Sequence, residues 1–307
     1  QVRGADGSIM PKSQKDDESF KNLCDLGFEH FGFNLYLEAR QVRFAYRMML
    51  DEPYDVKKQE FSKSTRKNLE STYKKGLSVR KGVEKDLPIM EDLFKDTATR
   101  KDFFYRKLDY YKEMYKYMKD LMTIYFAYLD PKKYLECAKE NLKEEQEKNK
   151  EILNKMEKDM IGAKLKSQKD ASDKRLIKLE NELKEAEEFQ KNYPEGKDIA
   201  CLLSMWNGEE FLTLTSGSLE KYRKFTPKYA MYDAHIKDAY KNGYKACNFY
   251  GISGNFEKEN NPLYGVYEFK RGFGGNVIEY IGEFTLPITK FNKFYNFLRG
   301  IKRMIKK

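Results

Sequence analysis

Two glycine-punctuated runs, GVYEFKRGFGGNVIEYIGE at residues 265–283 and NFYGISG at residues 248–254, decide how the rest of the chain is read. Both are dense in aromatics, and the first carries the adjacent cations Lys270 and Arg271, which suits a reaction centre better than a solvated surface. Val266, Phe269 and Phe273 stand at i, i+3 and i+7, so the spacing predicts a short helix that buries those three and pushes Lys270 to its margin. Gly272, Gly274 and Gly275 then end the helix and turn the chain. The alternating NVIEYIGEF that follows predicts a half-buried strand, and KACNFYGIS upstream predicts another.

These residues carry a resemblance. GVYEFKRGFGGNVIEYIGEFTLPI, coming after NFYGISG, is similar to the closing signature of the Fem/Mur peptidyltransferases, which build the cross-bridges of bacterial peptidoglycan. LGFEHFGF at residues 26–33, FSKSTRKNLESTYKKGLSVR at 61–80, FYRKLDYY at 104–111 and TSGS at 215–218 resemble the same family. The resemblance implies an α/β (α+β) chain of two acetyltransferase-like (GNAT) domains. Residues 1–51 would be the remainder of a first domain that is N-terminally incomplete. Residues 52–130 and 196–288 would form the second, with a helical hairpin inserted at 131–195 and a basic helix closing the chain at 289–307. It also implies transfer of an amino acid from aminoacyl-tRNA, as co-substrate and with no further cofactor, to the stem-peptide amine of a lipid-linked or UDP-linked muropeptide precursor. The expected location is the cytoplasm, at the inner membrane face. Phe269-Lys270 matches the family's catalytic pair, which assigns Lys270 to charge stabilisation and Phe269 to placing the acceptor peptide. Arg106 and Tyr110 match the pair that holds the precursor's diphosphate, and Tyr250 is a weaker candidate for lining the peptide channel.

Read without the resemblance, each of these residues has a plainer alternative. Lys270 would be a surface lysine at a helix end, and Tyr250 a packed aromatic. Arg106 and Tyr110 are four apart, so both project from one helix face and could simply pack there. A guanidinium fork at that place nonetheless matches phosphate geometry.

Charge points the same way. The 307 residues carry a net charge of +10, unevenly spread: residues 57–81 hold nine Lys/Arg against two Glu, and residues 290–307 hold seven cations and no acid. Clustered positive charge calls for a polyanionic partner such as a phosphate-bearing substrate, RNA or an acidic membrane. Lys63, Arg66, Lys67 and Lys74 on a predicted amphipathic helix over 58–75, with Arg271, are the candidate tRNA or phosphate contacts. The four cysteines form no CxxC pair and suit a reducing compartment. With two histidines, His30 and His235, a histidine-based triad or metal site is not expected.

Along the chain, residues 13–27 read as a helix, GFEHFGFNLYL and QVRFAYRMML as two strands of a hairpin, and residues 86–129 as mostly helix. From 131 to 193 a 3,4 spacing of Leu135, Ala138, Leu142, Asn149, Ile152 and Met156, resumed by Leu176, Leu179, Leu183 and Ala186, predicts an antiparallel coiled-coil hairpin turning within 161–172. Its 16 cations against 15 acids between 132 and 193 favour a structural or shape-reading role over RNA contact. Asn207-Gly208 predicts a hairpin turn, TSGS a small-residue turn, and residues 227–242 a helix. The closing basic segment pairs its cations with Phe291, Phe294, Phe297 and Leu298, which suits packing on the first domain or, second, an anionic lipid surface. Two rival functions stay open: a CoA-dependent N-acyltransferase, against which stands the lack of a Gly-rich pyrophosphate loop, and a non-catalytic RNA-binding coiled-coil protein.

Overall fold

The computed structural model describes residues 1–11, 17–36, 42–102, 104–158, 162–259 and 261–305. In chain order its elements are β1 (Val2–Arg3), α1 (Asp17–Asp25), β2 (Glu29–His30), β3 (Phe44–Met49), α2 (Tyr54–Glu60), α3 (Lys63–Tyr73), β4 (Leu77–Lys81), α4 (Leu87–Lys101), α5 (Leu108–Met118) and β5 (Met122–Leu129). There follow α6 (Pro131–Lys158), α7 (Ala163–Asn192), β6 (Lys197–Asn207), β7 (Glu210–Ser218), α8 (Pro227–Lys241), β8 (Ala246–Ile252), α9 (Tyr264–Arg271), β9 (Asn276–Glu279), β10 (Phe284–Thr285) and α10 (Lys290–Ile305). The chain is a mixed α/β protein that divides into two compact units: Gln1–Thr65 with Trp206–Leu214 and Ala239–Lys307, and Arg66–Met205 with Thr215–Asp238.

In the first unit β3 is the central strand. Phe44, Ala45, Tyr46 and Met48 are all exposed by 3% or less, a run of consecutive buried residues that requires cover on both faces. β8 pairs with β3 on one side and β9 on the other, both antiparallel; β1 continues beyond β9, and Glu210–Leu212 run parallel to β8. NVIEYIGEF is therefore not one strand. It breaks at Gly282 into β9 and β10, and β10 pairs with β2. This also corrects the hairpin expected over residues 27–50, since β2 takes β10 as partner and β3 takes β8 and β9. The reason is aromatic packing: His30 beside β10 gathers the rings of Phe20, Phe33 and Phe284 at 4.8, 4.7 and 4.8 Å. Residues 37–41 and 12–16 of the expected strand and helix lie outside the described residues.

The helix expected over 58–75 is two. Phe61 turns inward to 2% exposure and stacks edge-on with Phe273 at 5.3 Å. Ser62 then restarts the helix by accepting the Thr65 N–H at 3.1 Å, which is N-cap behaviour.

The second unit is built on an antiparallel ladder β4–β5–β6. Here the expectation of helix through residue 129 fails: MTIYFAYL is strand β5, with Ile124 to Ala127 and Leu129 buried. A continuous apolar run carries no period that separates strand from helix, and its β-branched and aromatic content decides. TSGS is likewise the end of β7 rather than a turn. A Cβ on Gly217 would lie 2.5 Å from the Leu93 carbonyl of α4, so helix and strand touch there only because the residue is glycine. Thr97 on α4 accepts the Ser218 N–H at 2.8 Å and seals the contact.

α6 and α7 form the antiparallel hairpin. Ala138, Leu142, Leu179 and Ala186 are buried along its seam as the spacing predicts, and Glu145 joins them. Of the turn expected within 161–172, residues 163–172 are helix, because α7 already starts at Ala163, and residue 161 lies outside the described residues. No helix among the described residues is long and apolar enough to cross a membrane.

Candidate active site

The two runs that open the sequence reading meet at a defect in the first unit's sheet. Ala45 faces Gly251 and Arg47 faces Asn248, so Phe249 and Tyr250 together oppose Tyr46 alone. This is a β-bulge. Tyr250 takes φ 61, a left-handed conformation that costs a side-chain-bearing residue about 1–2 kcal/mol and that tends to mark functional sites. Side chains hold it there. Asn248 Oδ1 accepts the Tyr250 N–H at 2.9 Å while its Nδ2 donates to Glu210 Oε2 at 2.8 Å and to the Tyr280 hydroxyl at 3.3 Å. Arg47 anchors the same Glu210 at 2.8 Å. Burial raises the pKa of both Tyr250 and Tyr280, so these phenols stay neutral donors through the physiological range.

Lys270 reaches the bulge. Its Nζ donates to the Gly251 carbonyl at 2.7 Å, and the side chain is 7% exposed. An ammonium so far from water needs a compensating acceptor; a displaced carbonyl at a bulge provides one. The buried face of α9 is accordingly not the one expected. Tyr267 and Lys270 point inward while Val266 is 37% exposed. Phe273 is fully buried, but beyond the end of the helix, where it gathers Phe61, Phe249 and Phe269 at 5.3, 5.8 and 5.4 Å. Gly275 makes that return possible: its φ is +107, and a Cβ would sit 2.4 Å from the Arg47 carbonyl. Phe269, beside Lys270 in sequence, is half-buried. Arg271 is exposed and lies over the Tyr267 ring at 5.4 Å.

The loop that joins bulge and helix is locked by amide side chains. Asn261 Nδ2 donates to Ser253 Oγ at 3.0 Å and to the Asn255 carbonyl at 2.6 Å, and its Oδ1 accepts the Leu263 N–H at 2.9 Å, just before α9 begins. The position of Lys270 is thus fixed from both ends.

In the second unit Arg106 is not on a helix, since α5 starts only at Leu108. It still meets Tyr110: the guanidinium lies 5.0 Å from the Tyr110 ring and 5.0 Å from that of Phe104. Arg66 and Lys67 are exposed along α3, as are Lys63 at its start and Lys74 just past its end. Lys67 and Lys74 line a cavity of about 480 Å³ with Lys75, Arg175 and Lys178, against the acids Glu70 and Glu182. Burial holds Lys75 below the ordinary lysine pKa, against the nearby Glu182 carboxylate, which raises it.

Both histidines and two of the cysteines sit in packed surroundings. His235 is fully buried with Nδ1 3.0 Å from Ser204 Oγ. Burial lowers the pKa of His30 within its aromatic cluster. Cys201 and Cys247 are completely buried and their thiols are pushed up by that burial, which makes them unreactive. Sequence reasoning missed Arg47, Glu210 and Tyr280, which lie far apart in the chain. Asn248 was visible as the first residue of NFYGISG, yet nothing in a linear reading gives it a role.

The model of the FemAB family matches residues 1–302 of this sequence. The chain belongs to the FemAB family. The aminoacyltransferase FemB of Staphylococcus epidermidis is 30% identical over 306 residues, which cover 98% of this chain and 72% of that protein. The aminoacyltransferase FemA of the same species is 29% identical over 293 residues, covering 94% and 69%. Among solved structures FemX superposes on this FemAB chain with a TM-score of 0.66 and 25% identity, over 88% of this chain and 68% of FemX.

Proposed function

We propose that this FemAB chain is an aminoacyltransferase that moves an amino acid from aminoacyl-tRNA to the stem-peptide amine of a peptidoglycan precursor, with Lys270 as its electrostatic catalyst. The observation that carries the assignment of Lys270 is its buried ammonium on the Gly251 carbonyl at the bulge, within a chain matched to aminoacyltransferases over nearly its whole length.

The reaction is aminolysis. The amine nitrogen attacks the ester carbonyl carbon, the carbonyl oxygen takes the negative charge, and the ribose oxygen leaves with a proton that the amine loses. An ammonium whose position is fixed before substrate arrives stabilises the oxyanion or the departing ribose oxygen without reorganisation. A lysine-like acceptor amine has a pKa near ~10.4 and must react in its neutral form. His235, Cys201 and Cys247 are buried away from solvent, and the rate rests on positioning, with Phe269 and Tyr250 beside the acceptor peptide. Arg106 and Tyr110 would hold the precursor's diphosphate through a guanidinium already aligned by two aromatic faces. Lys63, Arg66, Lys67, Lys74 and Arg271 would meet tRNA phosphates. Cytoplasmic location follows from the donor.

The test supplies labelled aminoacyl-tRNAs and a muropeptide precursor to the chain and to its Lys270→Met variant. Transfer in the parent, with kcat lower by a hundred- to a thousandfold in the variant, matches loss of one oxyanion donor, about 2.7–4 kcal/mol. A folded variant that keeps kcat within tenfold of the parent makes Lys270 a structural residue. Label passed from acyl-CoA but from no aminoacyl-tRNA would instead select the CoA-dependent reading.

A further inference from the structure

The C-terminal helix α10 is amphipathic in the wrong direction for a packed helix. Among its described side chains only Asn296 is buried, and it donates to Glu29 Oε2 at 3.0 Å. The start is fixed by Thr289, whose Oγ1 accepts the Asn292 N–H at 3.1 Å. The helix is thus attached to its own unit through polar groups. Its large apolar side chains face away: Phe291 is 74% exposed, Phe294 58%, Phe297 63% and Leu298 46%, and Ile288 just before it is 83% exposed.

Helical spacing puts Phe291, Phe294 and Leu298 on one stripe with Phe297 at its flank. Contiguous apolar surface of this kind marks an interaction site. The charge favours one occupant over a second copy of this chain. Residues 290–307 contain seven Lys/Arg and no Asp or Glu, among them the exposed Lys290 and Lys293. A second copy of this chain would bring a like-charged face against it, since a two-fold interface joins a surface to itself. An apolar stripe rich in phenylalanine, on a segment whose charged residues are all cations, fits an anionic bilayer, where rings enter the acyl boundary and ammonium groups stay among the headgroups. A helix of 16 residues is about 24 Å long and lies in the interface rather than across it.

We propose that α10 is a peripheral membrane anchor that docks the chain on anionic phospholipid, its phenylalanines inserted and its cations on the headgroup phosphates. The inference uses no step of the transfer reaction and stands or falls apart from it.

The experiment is cosedimentation of the full chain with vesicles of phosphatidylcholine, with and without one third phosphatidylglycerol, at low and high salt. Binding to the anionic vesicles alone is expected. Each cation near such a surface contributes roughly fivefold to the partition coefficient, so Lys290→Glu with Lys293→Glu lowers it by about 25-fold or more. Replacing Phe291, Phe294 and Phe297 by Ser abolishes binding while the melting temperature holds, because those rings are already in water. Should that variant lose its fold, Phe294→Trp in the otherwise intact chain gives a second reading: its emission is quenched by brominated phosphatidylglycerol vesicles. Three outcomes overturn the proposal: no association with anionic vesicles, association that survives loss of the three rings, or a lipid-free dimer that the same three substitutions dissociate.

Discussion

At the scale of single residues, the site depends on one backbone conformation that its residue type disfavours. Tyr250 sits at φ 61 in the middle of a strand, held by Asn248 and, through it, by Glu210 and Tyr280. Strand propensity ranks Val above Asn by several tenths of a kcal/mol, whereas a left-handed residue ranks them the other way. Urea denaturation should therefore find Tyr250→Val less stable than Tyr250→Asn, by about 1 kcal/mol. The ordinary strand order would mean that the bulge relaxes when the ring is changed, and Lys270 would lose its fixed acceptor. The sequence marks this place clearly, through the glycines and aromatics on either side of Tyr250. It hides the bulge, because a strand with one extra residue keeps its composition and loses only its register. The same limit explains Lys270. Apolar periodicity places a lysine at the margin of a helix, and the carbonyl displaced by the bulge gives the buried ammonium an acceptor that a linear reading does not show.

At the scale of elements, the hairpin of α6 and α7 carries a polar layer inside an apolar seam. Ser172 donates to Glu145 Oε1 at 2.8 Å, Asn149 donates to Ser172 at 3.0 Å and to Asp173 at 2.9 Å, and Arg175 pairs with Glu145 at 3.1 Å. Glu145, Asn149 and Ser172 are all buried. A layer of this kind fixes register, because any slip leaves polar groups unpaired between apolar ones. Ser172→Ala removes a donor and an acceptor at once and should cost the arm about 1–3 kcal/mol. Hydrogen exchange of α6 and α7 would then quicken by about ten- to a hundredfold, while exchange in β3 and β8 stays the same. Equal acceleration in both would show that the arm does not open as a unit of its own. The seam was legible from the spacing of Leu and Ala. Glu145 was not, since a charged residue at a seam position reads as a break, and the polar stretch after 162 reads as a turn although it is a solvated part of α7.

At the scale of the whole chain, net charge is visible in the sequence and its arrangement is not. The hairpin sums to nearly zero, which argues against an affinity for RNA. Yet Arg175 and Lys178 of α7 line the same cavity as Lys67, Lys74 and Lys75, with Glu70 and Glu182 as its acids. The sum over the arm fails because it leaves out α3 and the turn after it, whose lysines bring that cavity to five cations against two acids, and a phosphate samples only the face it meets. If aminoacyl-tRNA docks along α3, the logarithm of its affinity falls linearly with the logarithm of salt, with a slope near −0.9 per phosphate neutralised. Lys67→Glu with Lys74→Glu should flatten that slope by about two, and raise KM for tRNA with kcat little changed, because these lysines hold the donor rather than the reacting ester. Arg175→Glu with Lys178→Glu should flatten it further if the arm shares the load, and a charge reversal at the exposed Lys148 elsewhere on α6 controls for net charge alone. A slope unmoved by all of these but moved by Lys148→Glu would remove the cavity from the donor's path and leave long-range attraction, which the +10 chain exerts on any polyanion, as the whole of the effect.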